Sequence, residues 1–222
     1  MVRPFPARPL AMLSLVALGA FLVLMTLAAA AYPGGTYCEP TAGGYRFWGN
    51  YFCDLTASVT GRGEDNSKSA ALAEAAFVCF ALAAAPFFVL LGRLSGRARV
   101  VGGLGVVSAV GTVVLAWLPS RAGATLHAVA VFSATIPGLA AAALGAYGLC
   151  NRTLPARLRI PSTLGMATFC AGFADAAGFG YAVATHAGCV VWLPALQKVV
   201  AVLLVGWMAS TALVAAREPA QR

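Results

Sequence analysis

Few side chains in this sequence can do chemistry, because 60% of its 222 residues are hydrophobic and only 10% are charged. Asp54 and His127 are a carboxyl and an imidazole that could act as acid/base partners on a lipid or lipid-linked substrate. Asn50, Asn66 and Gln197 could orient polar groups beside them. Lys198, with Arg121 and Arg46, could hold a phosphate or another oxyanion of an anionic lipid headgroup. Glu74, Asp175 and His186 fall inside or at the edge of apolar segments, where an ionisable residue is costly and points to function by default.

Each of these residues also has a plainer reading. An embedded carboxyl can be protonated and hydrogen-bonded across helices. His127 can be a boundary histidine in contact with water, and Lys198 can snorkel to the headgroups. Two histidines without a spacing such as HxxxH do not define a zinc site. There is no glycine-rich phosphate loop after a strand and no nucleophile elbow. No metal and no cofactor are therefore expected.

The elements that must position these residues are apolar segments. A helix needs roughly 20 apolar residues to cross the hydrocarbon core. Six windows qualify, near 10–31, 69–92, 100–118, 124–148, 162–185 and 194–216. Period-two alternation over about ten residues is missing, which argues against a transmembrane barrel. The expected fold is an all-α bundle of six transmembrane helices in a single membrane domain, 1–222. The first apolar run also has a signal-peptide reading, though it is longer than the about 7–15 residues of a typical h-region.

Charge sets the expected orientation. Arg3, Arg8, Arg93, Arg97, Arg99, Arg152, Arg157, Arg159, Arg217 and Arg222 place ten of fifteen basic residues on one side. The positive-inside rule then puts both termini in the cytoplasm of a bacterial inner-membrane protein and the long loop 32–68 outside. Trp48, Trp117 and Trp192 fall near the outer boundary as an aromatic belt would. The net charge of +8 lies in short clusters between apolar runs. That is a topology signal, so lipids are the expected partners and nucleic acid is not. Oligomeric state is left open.

Most polar candidates gather at the outer end. In "FWGNYFCDL", Trp48, Tyr51, Phe52 and Leu55 follow the i, i+3, i+4, i+7 stripe of a short helix lying at the interface. On it Asn50 and Asp54 share another face, towards the mouth of the bundle. Cys38 and Cys53 lie in the same exported loop, where a disulfide between them is the favoured pairing in an oxidising compartment. Cys189 has no evident partner, while Cys79, Cys150 and Cys170 read as small packing residues. Asn66 or Ser67 suits the N-cap of the second helix.

Depth groups the ionisable residues. Glu74 lies roughly 8 Å below the outer surface at 1.5 Å per residue. His127, one turn into its own helix, matches that depth, so the two could touch. Asp175 is deep, and His186 follows about three turns later on the same helical face. Gly172, Ala176, Gly180 and Ala184 form a small-residue ladder for close helix packing.

The order of "FWGNYFCDL", "EDNS", "WLPSRAGATLH" and "LPALQKVVAVLLVGW" resembles a bacterial and archaeal family of six-helix membrane proteins of unknown function. That family is itself distantly similar to Frag/DRAM/Sfk-type membrane proteins. The resemblance runs from Phe47 to Trp207 and rests on Asn50, Asp54, Asn66, Pro119, His127, Gln197 and Lys198. It implies a six-helix bundle with these positions in its outer third, and no particular reaction. Family members often carry Ser or another small residue where Cys53 stands. They also tend to have an acidic residue where this chain has Ser120 and Arg121.

Three functions are compatible with these residues. The first is a site binding or processing lipid headgroups at the outer leaflet. The second is a non-enzymatic binding or scaffold protein whose polar residues pin the outer loop. The third is a proton-coupled transporter using Asp175.

Overall fold

The computed structural model describes residues 7–118, 124–150 and 156–217. Six long helices run through them: α1 (Ala7–Ala31), α2 (Ser67–Leu94), α3 (Ala98–Trp117), α4 (Ala124–Cys150), α5 (Arg159–Ala184) and α6 (Leu193–Ala216). Among the described residues there are no strands beyond two isolated bridges, Gly34 with Gly43 and Val59 with Asp65. Helices α1, α2, α3, α4 and α6 are long and apolar enough to cross a membrane. Helix α5 matches them in length but is the least apolar of the six. These spans make the chain a helical membrane protein.

The helices form a ring in chain order, and α1 packing on α6 closes it. Helix α2 also reaches α4 and α6 across the ring, so it carries much of the core. Small residues allow this closeness. A Cβ on Gly111 of α3 would meet the backbone of Ala134 on α4 at 2.8 Å, so the two helices touch there almost backbone to backbone. Beside that contact the Ser108 hydroxyl donates to the Ala134 carbonyl at 2.7 Å. Ser14 of α1 donates likewise to Ala83 of α2 at 2.9 Å. Lower in the ring, Phe87 and Trp207 pack edge-to-face with centroids 5.0 Å apart, both fully buried.

Helix ends follow their local chemistry. After α2, Gly96 takes φ 75°, its N–H bonds to Arg93 O, and Arg97 N–H bonds to Gly92 O. This is the paired closure of a glycine-terminated helix. Helix α5 ends the same way, with His186 N–H on Val183 O and Ala187 N–H on Ala182 O. Here the left-handed residue is His186 itself, at φ 49°.

Burial along α5 is uneven. Its first half buries Pro161, Ser162, Gly165, Thr168 and Gly172. From Phe173 to Ala184 no residue is buried. On the side of the long loop 32–66, the halves of the other helices each bury several, such as Ser69, Ala70, Ala73 and Ala76 on α2 or His127, Ala128, Ala130 and Ala134 on α4.

The outer loop departs from the expected interfacial helix. Only Phe52–Thr56 is helical, as one 3-10 turn. Trp48 is exposed while Leu55 is fully buried, so the apolar stripe does not form one lipid-facing side. The reason is local. Side chains of Asn50 and Asp54 bind nearby backbone groups and hold a turn in place of a helix.

Candidate functional site

The site is the underside of the loop between α1 and α2, built around Asn50. This side chain is fully buried and every polar atom of it is engaged. Its Oδ1 accepts from Arg46 N–H at 2.9 Å, and its Nδ2 donates to Gly35 O at 2.7 Å and to Asp54 Oδ2 at 2.9 Å. One amide therefore ties together three parts of the loop. Asp54 Oδ2 also accepts from Tyr51 N–H at 2.9 Å, which caps the 3-10 turn.

Helix α6 meets this loop with two consecutive side chains. Gln197 Oε1 accepts from Phe52 N–H at 2.9 Å. Lys198 Nζ donates to Asn50 O at 2.6 Å and lies 3.5 Å from Gln197 Oε1. Lys198 has no solvent exposure, and its ammonium sits 4.0 Å from the Phe52 ring centroid, with Tyr45 and Phe47 about 6 Å away. Lys198 does not snorkel, the plainer of its two readings, because the loop folds down over the ammonium and supplies a carbonyl and an aromatic face.

Burial dominates the electrostatics of the loop. It pushes the Asp54 carboxyl above its ordinary value, against the opposing pull of the Asn50 and Tyr51 hydrogen bonds and of the Lys198 charge. Burial, with the Asp54 charge, raises the Cys53 thiol to about 12 and the Tyr51 phenol to about 12. Cys53 is therefore a neutral thiol and no ready nucleophile. Asp175 is half-buried on the second half of α5.

The remaining candidates separate. His127 is buried and its Nδ1 sits 2.7 Å from Leu118 O. No hydrogen bond joins it to Asp54 among the described residues. Glu74 is half-buried on α2, and among the described residues no hydrogen bond links it to His127. Asn66 stands at the N-cap position of α2, yet its side chain caps nothing. Its Nδ2 donates instead to Ala57 O at 2.7 Å and Leu55 O at 3.3 Å, fastening the end of the loop, while Asp65 Oδ1 accepts from Ser67. His186 does not share Asp175's helical face, because α5 ends at Ala184 and His186 is exposed in the turn beyond. Arg46 pairs with Glu39 at the surface. Arg121 and Pro119 lie outside the described residues.

The expected disulfide is corrected. Cys38 pairs with Cys189, their Cα atoms 4.9 Å apart, and Cys53 is a free buried thiol. Ring closure brings the α5–α6 connection beside the start of the loop, while the 3-10 turn directs Cys53 inward. Sequence reasoning also missed Tyr45 and Gly35. Among the described residues, the buried Tyr45 hydroxyl and Asn66 Oδ1 have no hydrogen-bond partner. A cleft of about 170 Å³ lies beside the disulfide, lined by Thr36, Cys38, Glu39, Arg46, Gly49 and Val191. A shallow groove of about 290 Å³ on the outer face of α1 is lined by Leu22, Val23, Thr26 and Leu27.

Compared with protein-family models, curated proteins and solved structures, the chain matches none. Function is therefore argued from the geometry alone.

Proposed function

We propose that this is a non-enzymatic binding or scaffold protein of the bacterial inner membrane, with its outer loop fixed as a lid on the helix ring. The observation that carries this reading is the pair Gln197 and Lys198. Both direct their polar ends to loop backbone, at Phe52 N–H and Asn50 O, and not to an open cavity. Asn50 and Asn66 do the same from within the loop, as buried polar groups must. The arginine bias and a disulfide that needs an oxidising compartment both favour an outward-facing lid. Exposed Phe47 and Trp48 on the lid suit contact with lipid headgroups.

Replacing Gln197 and Lys198 by alanine tests the proposal. The double variant is expected to melt at lower temperature in detergent and to be cleaved by protease within the loop. Normal stability together with a lost cellular phenotype would overturn it. A second reading, headgroup binding or processing, is favoured by Lys198 having no direct carboxylate partner among the described residues. It requires that Asp54→Ala and His127→Ala, though folded, fail to restore the lipid profile of a deletion strain.

A further inference from the structure

The Cys38–Cys189 bond joins the one well-anchored part of the outer face to its least-packed part. Cys38 belongs to the loop, which Asn50, Asn66, Gln197 and Lys198 fasten to itself and to α2 and α6. Cys189 lies in the connection that follows α5, whose outer half buries nothing after Gly172. The contacts of that half are sparse. Phe179 meets Phe132 of α4 with centroids 5.7 Å apart, and Gly178 lies against Trp192 and Leu193. Gly178 and Gly180 also weaken the helix there, since a glycine inside a helix gives up more chain entropy than any other residue. Packing holds the outer half of every other helix, but a covalent bond supplies much of what holds α5.

We propose that Cys38–Cys189 is a reversible redox clasp on the outer half of α5, opened by an extracytoplasmic dithiol reductant. Access favours the step. Cys189 is exposed, Cys38 is half-buried, and the cleft beside them is open. A thiolate of the donor attacks Cys189 Sγ, forming a mixed disulfide and expelling the Cys38 thiolate. The second donor thiolate attacks its own bound sulfur and expels Cys189. The donor leaves as a disulfide, two electrons have passed to the protein, and the two protons released by the donor thiols end on Cys38 and Cys189. With the clasp open, the segment from Phe173 to Ala184 separates from α4 about Gly172. The seam that opens is next to Asp175. The lid stays seated, because its bonds to α6 do not involve either cysteine.

Hydrogen exchange of the full-length protein in lipid nanodiscs, with and without a phosphine reductant, tests the clasp. A Cys38→Ala/Cys189→Ala variant, measured without reductant, serves as the chemical control. Amides of 173–184 are expected to exchange about tenfold or more faster in the reduced protein and in the variant, while α2, α3 and the 159–172 half of α5 are unchanged. An unchanged 173–184 segment overturns the proposal. So does faster exchange spread over all six helices, or confined to the loop, since each assigns the bond a purely structural role. Reduction of the folded wild type keeps the test valid if the variant does not fold.

Discussion

Asn50 shows how much one buried amide can organise. It satisfies three separate backbone or side-chain groups, and its own carbonyl receives Lys198. Asn50→Ala leaves Gly35 O and Arg46 N–H without that partner inside protein, so a loss of about 2–4 kcal/mol is expected in denaturant unfolding. Asp54 gives a prediction of the opposite kind. Its folded carboxyl titrates above the ordinary 3.8 because it is buried. A raised pKa means the folded state binds the proton more tightly than the unfolded chain. Asp54's contribution is therefore fully present below pH 3.8 and lost as pH rises through the folded value. Asp54→Asn is expected to remove that decline from melting temperatures measured upwards from pH 3.8, while retaining an acceptor for Tyr51 N–H. That Asn50 and Asp54 meet was legible from their four-residue spacing, though the sequence placed them on the face of a helix and the structure joins them across a turn. The destination of Lys198 was not, because it depends on a loop more than a hundred residues away folding over α6.

At the scale of elements, the helices were the most legible part. The apolar windows end within a few residues of the observed boundaries, because in lipid a continuous apolar run has no alternative but a helix. The short outer helix misled for the converse reason. Over the eight residues from Trp48 to Leu55, periodicity is too weak to override side-chain bonds to the backbone, and only the five of Phe52–Thr56 wind into a turn. The two matching C-terminal closures offer a paired test. Gly96 holds its left-handed conformation freely, whereas His186 does so against the side-chain clash. His186→Gly is expected to raise stability by about 1 kcal/mol, and Gly96→Ala to lower it by about 1–2 kcal/mol, in the same unfolding assay.

For the whole molecule, closure of the ring decides which distant segments meet. Only because α1 packs on α6 does the α5–α6 connection lie beside the first residues of the outer loop. That is why Cys189 was not legible as the partner of Cys38: cysteine spacing carries no information about which helices are neighbours. The arginine pattern does carry information on orientation. A fluorescent reporter fused after Arg222 is expected to fluoresce, and alkaline phosphatase at the same point to be inactive. The reverse pattern would place the lid in the cytoplasm and remove the basis for its disulfide.

The bonds that seat the loop also impose an order on synthesis. Phe52 to Gln197, Asn50 to Lys198 and Cys38 to Cys189 span 145, 148 and 151 residues. None can form until the last helices have left the ribosome. For most of translation Cys38 and Cys53 are neighbouring thiols on an unseated loop, and the earliest bond open to them is the wrong one. The turn that hides Cys53 is itself fastened by Gln197 and Lys198, so Cys53 is withdrawn only when α6 arrives, in the same step that brings Cys189 to Cys38.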